Sequence, residues 1–149
     1  MKDSVVQVTV AGLIGAAVMN VIVFLLLLFG VQTTPPWEIA ADVFLAADLI
    51  NTALGVVIGL VGTVALSITS AVIILLVLKL TGYDFAVLKG ILATNAFSFA
   101  TMGLFMPLLN IAPQVQSNAL TNILALGVLT VIGGMMAFVL LRFRTVAAK

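Results

Sequence analysis

From Gly90 to Leu141 the chain carries no charged residue. No other feature constrains folding as much, because inside lipid only a helix or a closed barrel can satisfy every backbone amide. The run is too long for one crossing, since a hydrocarbon core of roughly 30 Å takes about 20 residues of helix. Its middle, NIAPQVQSNA from Asn110 to Ala119, is polar and holds Pro113. A turn there splits the run into two spans.

Extended to the whole chain, the same reading gives an all-α integral membrane protein with four transmembrane helices in a compact bundle. The spans are expected at about 5–29, 52–78, 88–109 and 120–143. The second exceeds a perpendicular crossing, and tilt or extension beyond the bilayer absorbs the excess. With 64% hydrophobic and 7% charged residues the composition lies outside soluble usage, and the 149 residues leave room for a single membrane domain. Lys2 before the first span suggests a secretory signal, but the run is too long for one and no small-residue cleavage site closes it, so the span is retained.

Between the first two spans, PPWEIAADVFLAADLIN reads as a short interfacial helix over about 36–48. Thr34 is placed as its cap, proline in its first turn and Trp37 as its aromatic anchor. Glu38 and Asp42 share a face there, either solvated or marking a contact for a basic partner or a metal ion. Asp48, with Asn51 and Thr52 after it, is expected to cap the second span, with cation binding as its other role.

Charge sets the orientation. Lys2, Lys79, Lys89, Arg142, Arg144 and Lys149 all fall on one side, against Glu38, Asp42 and Asp48 on the other, so both termini are expected in the cytoplasm. Lys79 and Lys89 bracket the loop between spans two and three. With Arg142 and Arg144 they are expected to anchor the inner interface and to meet anionic lipid heads.

The apolar spans carry lines of small residues. Gly55, Gly59, Thr63, Ser67 and Ala71 recur every fourth position in the second span, and Gly12, Ala16 and Asn20 do so in the first. Gly90, Thr94 and Ser98 follow in the third, and Gly127, Thr130, Gly134 and Ala137 in the fourth. Residues four apart stack on one helix face, so each span presents a narrow stripe through which helices can approach closely. Alternatively, Asn20, Asn95, Ser98 and Thr101, with Thr63 and Ser67, line a path for a small neutral solute or an ion. Asn20 and Asn95 equally suit hydrogen bonds between helices, and Pro107 suits packing or a cavity.

The chain has no cysteine and no histidine. That excludes disulfides, thiol chemistry, histidine-ligated haem and the usual zinc sites, and leaves Ser67, Ser70 and Ser98 without an activating base. No metal site and no cofactor is expected. IGGMM at Ile132 to Met136 lies inside a span without the lysine of a phosphate loop, and no basic patch suits nucleic acid.

VAGLIGAAVMN in span one, LKLTGYDFAVLKGIL entering span three and PLLNIAPQVQSNALTNI before span four resemble the uncharacterised small four-span membrane proteins of spore-forming Gram-positive bacteria. The resemblance implies a multi-pass protein of the bacterial plasma membrane and carries no assigned activity. TNAFSFATMGLF also invites comparison with the small four-span fluoride channels, but the one-sided charge and the lack of an arginine in the first span argue against them. The expected function is therefore non-catalytic: a packing or assembly subunit of a homo-oligomer or larger membrane complex, with lipids and other membrane subunits as partners. A small channel or transporter is the alternative, and a lipid-binding or membrane-shaping protein using the segment from Pro36 to Asp48 is a third.

Overall fold

A computed structural model of the chain describes residues 3–147, with side chains for 3–144; Lys2 and Lys149 lie outside the described residues. The elements are α1 (Ser4–Leu28), α2 (Pro36–Asp42), α3 (Ala53–Thr81), α4 (Ala86–Ala100), a π-helical turn (Thr101–Phe105), α5 (Met106–Leu109), α6 (Pro113–Gln116) and α7 (Ala119–Ala147). Four helical rods are long and apolar enough to cross a membrane: α1, α3, the rod Ala86–Leu109 and α7. Their outward faces are apolar, with Phe24, Val61, Leu92, Phe99 and Val131 all exposed, as lipid-facing surfaces require.

The rods pack in the cyclic order α1, α3, α4, α7. Across the ring α3 touches α7, whereas α1 and α4 do not meet. The alternation gathers both chain ends and the α3–α4 turn at one end of the bundle, and α2, α5 and α6 at the other, capped end. Near the chain ends the interior is solid: Val8, Ala11, Ile74, Leu78, Ala137 and Leu140 form one buried cluster. A second, small cluster of Met106, Ala112 and Val115, with Ile39 and Met102 against it, roofs the capped end.

Local chemistry explains the boundaries, and several depart from expectation. The interfacial helix stops at Asp42 and does not reach 48. Pro35, not Thr34, occupies its N-cap, and the Thr34 amide turns away to Thr121 Oγ1 at 3.4 Å. Asp48 does not cap α3. Thr52 does: its Oγ1 accepts the Gly55 amide at 3.1 Å and donates to the Leu49 carbonyl at 2.7 Å, while Asp48 stays exposed. α3 continues to Thr81, so Lys79 belongs to its last turn and not to the loop.

Lys89 donates to the carbonyls of Thr81 and Gly82, each at 2.9 Å. A cation on the last carbonyls of α3 satisfies the helix end and complements its dipole. In the third rod the π-helical turn sits just before Pro107, and its widened bond runs from the Met106 amide to the Thr101 carbonyl. Pro107 has no amide for the Gly103 carbonyl, and the wide turn lifts that carbonyl off the pyrrolidine ring.

Candidate functional site

The stripe on α3 has three different neighbours along its length. At the capped end, a Cβ on Gly59 would run into the Trp37 carbonyl, and one on Gly55 into the carbonyls of Leu49 and Ile50. These glycines exist for the backbone of α2 and the turn after it, which lie directly on α3. Midway, Thr63 Oγ1 donates to the Leu60 carbonyl at 2.8 Å and accepts Asn20 Nδ2 from α1 at 3.0 Å. Deeper still, Ser67 Oγ donates to Met136 Sδ of α7 at 3.9 Å, and Ala71 is fully buried. The stripe is consumed inside this chain.

The other stripes divide. On α1, a Cβ at Gly12 would come within 2.6 Å of the Ile68 backbone, and Ala16 is buried. On α7 the expected stripe divides: Gly127 is exposed with open space around it, whereas Thr130 bonds Asn95, Gly134 makes ordinary contacts with Val87 and Ile91, and Ala137 is buried against Gly90 of α4. The close approach belongs to Gly133, where a Cβ would meet Thr94 Oγ1 at 2.6 Å and the Gly90 carbonyl at 2.8 Å. Helices α4 and α7 therefore touch nearly backbone to backbone, and Thr94 Oγ1, with no hydrogen-bond partner, lies over the Gly133 backbone.

Asn20 and Asn95 tie helices together, and neither borders the cavity described below. Asn95 Nδ2 donates to the Ile91 carbonyl one turn back and to Thr130 Oγ1 of α7, both at 3.0 Å. Asn20 makes the matching pair, to the Ala16 carbonyl at 2.8 Å and to Thr63.

Between the solid half and the roof lies a cavity of about 170 Å³, to which all four rods contribute. Its surface is mostly apolar, and Met19, Met102, Met106 and Met136 supply adaptable walls. The polar atoms come from Thr63, Ser67, Ser70, Thr94, Ser98 and Thr101 in mid-bundle, and from Thr33, Thr34 and Thr121 near the roof. No charged side chain reaches the lining. Sequence reasoning found Thr63, Ser67, Ser98 and Thr101 but missed the methionines and Thr121, because nothing in a periodicity says which apolar side chains border a void.

The hydroxyls are not interchangeable. Ser98 donates its proton to the Thr94 carbonyl at 2.8 Å and Thr101 donates to Phe97 at 2.7 Å. Both therefore turn oxygen lone pairs, and not protons, toward the void. At these two positions a visiting molecule meets acceptors, whereas the Thr94 hydroxyl, which bonds nothing, keeps a proton to offer.

The acidic residues do not converge. Among the described residues no group of three or more histidine, cysteine, aspartate or glutamate side chains could hold a metal. Glu38 is half-buried on α2, and burial raises its carboxyl above the usual range. Asp42 is not a solvated neighbour of Glu38, because its Oδ2 accepts the Ala112 amide at the start of α6. Trp37, expected as an interfacial anchor, is half-buried with its carbonyl seated on α3. The guanidinium groups of Arg142 and Arg144 lie 5.7 Å and 4.0 Å from the ring centres of Phe138 and Tyr83.

Compared with protein-family profiles, with curated proteins and with solved structures, the chain matches none.

Proposed function

We propose that this chain is a non-catalytic, multi-pass membrane protein that binds a small, uncharged, mostly apolar molecule bearing a hydrogen-bond donor in the hollow half of its bundle. The observation that carries the reading is the void itself, bordered by four helices, free of charge and offering hydroxyl acceptors above a solid floor. An ion in such a place would lose its hydration for nothing. A cavity of about 150 Å³ holds a benzene ring, which sets the size of the occupant.

The solid floor separates this reading from an open channel. The small-residue stripe of α3 packs within the chain, against α2, α1 and α7, and on α7 only Gly127 is left open to a second subunit. The one-sided placement of lysine and arginine supports a plasma-membrane protein with cytoplasmic termini, the cavity lying toward the outer face.

The test uses 19F NMR of the protein in nanodiscs with 4-fluorobenzyl alcohol, its methyl ether and 4-fluorobenzoate as probes. A bound resonance distinct from the lipid-dissolved one is expected for the alcohol, a weaker one for the ether, which lacks the donor, and none for the carboxylate. Ser98→Leu, which fills the void, should remove it. A spectrum identical to that of empty nanodiscs for all three probes would overturn the proposal.

A further inference from the structure

The pattern Ala11-x-Leu13-x-Gly15-x-x-x-x-Asn20-x-x-x-Phe24 in α1 recurs in α4 as Ala86-x-Leu88-x-Gly90-x-x-x-x-Asn95-x-x-x-Phe99. Structure follows sequence. Each asparagine bonds the carbonyl one turn back and then a threonine on the next long helix, Thr63 of α3 or Thr130 of α7, and each threonine is followed by valine. Between its two long helices each half carries a short helix that opens on proline, Pro36 of α2 or Pro113 of α6, and that packs on the second long helix of its own half. The chain is thus two copies of one unit, α1–α3 and α4–α7, with the cavity between them. Paired sites between parallel repeats are where membrane carriers hold their cargo and where the halves move against each other.

The bonds are distributed to suit such movement. Packing is more extensive within each unit than between units, and both asparagine ties lie within units. Across the units, Lys89 holds the end of α3 near the chain ends, but toward the capped end Ser67 meets Met136 through a soft sulfur contact at 3.9 Å and Thr34 reaches Thr121 at a long 3.4 Å. Asp42 differs. Its carboxylate holds the amide of Ala112, an alanine kept at φ 43°, and around this bond Ile39 packs with Met106, Ala112 and Val115 as the roof. A charge-assisted bond offsets the cost of left-handed backbone at a residue other than glycine.

We propose that the two units act as rigid hairpins and that the Asp42–Ala112 bond is the latch by which α2 and α6 close the roof over the cavity. Releasing it parts the hairpins at the capped end while the solid half near the chain ends serves as the hinge. The latch thereby governs the capped-end entrance to the cavity.

This inference rests on the binding reading, and its test has an arm independent of it. With 4-fluorobenzyl alcohol in nanodiscs, 19F exchange spectroscopy reads the rate at which bound probe returns to lipid. Asp42→Ala should raise that rate about ten-fold, Asp42→Asn should raise it less, and Asp48→Ala, at an exposed acid on the same end, should leave it unchanged. Without any probe, spin labels at exposed Phe44 and Gln114 report the separation of the hairpins, and Asp42→Ala should lengthen or broaden that distance. If the distance and the exchange rate both match the unsubstituted chain, there is no latch. If the distance changes but no probe binds, the latch stands and the binding reading falls.

Discussion

The carbonyl of Trp37 sits where a side chain on residue 59 would begin. A backbone atom cannot rotate aside as a flexible side chain does, so any substituent at Gly59 must lift α2 off α3. Gly59→Ala should cost about 1–3 kcal/mol, as overpacking does, whereas Gly127→Ala, in open space, should stay within about 0.5 kcal/mol. Thermal unfolding in one detergent checks both. Equal losses would mean that α2 does not lie on α3.

The two asparagine ties should prove modest. Hydrogen bonds between membrane helices average about 0.6 kcal/mol and reach about 1.7, and the buried Oδ1 of both Asn20 and Asn95 has no partner, which lowers the net gain. A double-mutant cycle of Asn95→Ala with Thr130→Ala should give a coupling in that range, and the cycle of Asn20 with Thr63 should give a similar value. Zero coupling in both would remove the ties as the element holding each hairpin.

Glu38 makes stability depend on pH. Its folded pKa is raised above the ordinary 4.5 by burial, so the folded chain binds its proton more tightly than the unfolded chain does. That contribution is complete below the ordinary value and is lost as pH rises through the raised one. Glu38→Gln should therefore melt higher than the unsubstituted protein at pH 7, and the two curves should converge near pH 4. A Gln variant that melts lower at pH 7 would show that the ionised carboxylate is favourable where it lies.

Orientation can be read directly, because the chain contains no cysteine. In intact cells an impermeant thiol reagent should modify Asp48→Cys and leave Asp84→Cys untouched until the membrane is opened; both positions are exposed. The reverse pattern would invert the topology.

Much of the architecture was legible in the sequence, since span length and charge placement are read residue by residue. The observed helices begin and end within a few residues of the expected spans, the largest shift being at the end of the fourth. The neighbours of each stripe were not legible. Periodicity identifies the face that Gly55 and Gly59 share but cannot say that a seven-residue helix lies on it. Likewise Gly133 and Gly134 are adjacent in sequence, and only the packing of α4 shows that the first makes the close approach. The latch was hidden for a similar reason: Asp42 and Ala112 lie far apart in sequence, and an alanine announces no left-handed backbone.

The π-helical turn coincides with a one-residue offset between the first and third rods. Up to Phe24 and Phe99 the two stretches run at one constant spacing; the pairs Leu28-Phe29 and Leu104-Phe105 then match one position farther apart. A π turn houses one residue more than an α turn over the same stretch of axis, and it falls at Thr101–Phe105. In the α4 half this stretch holds one residue more than in the α1 half, and the bulge absorbs it without rotating the helix beyond it.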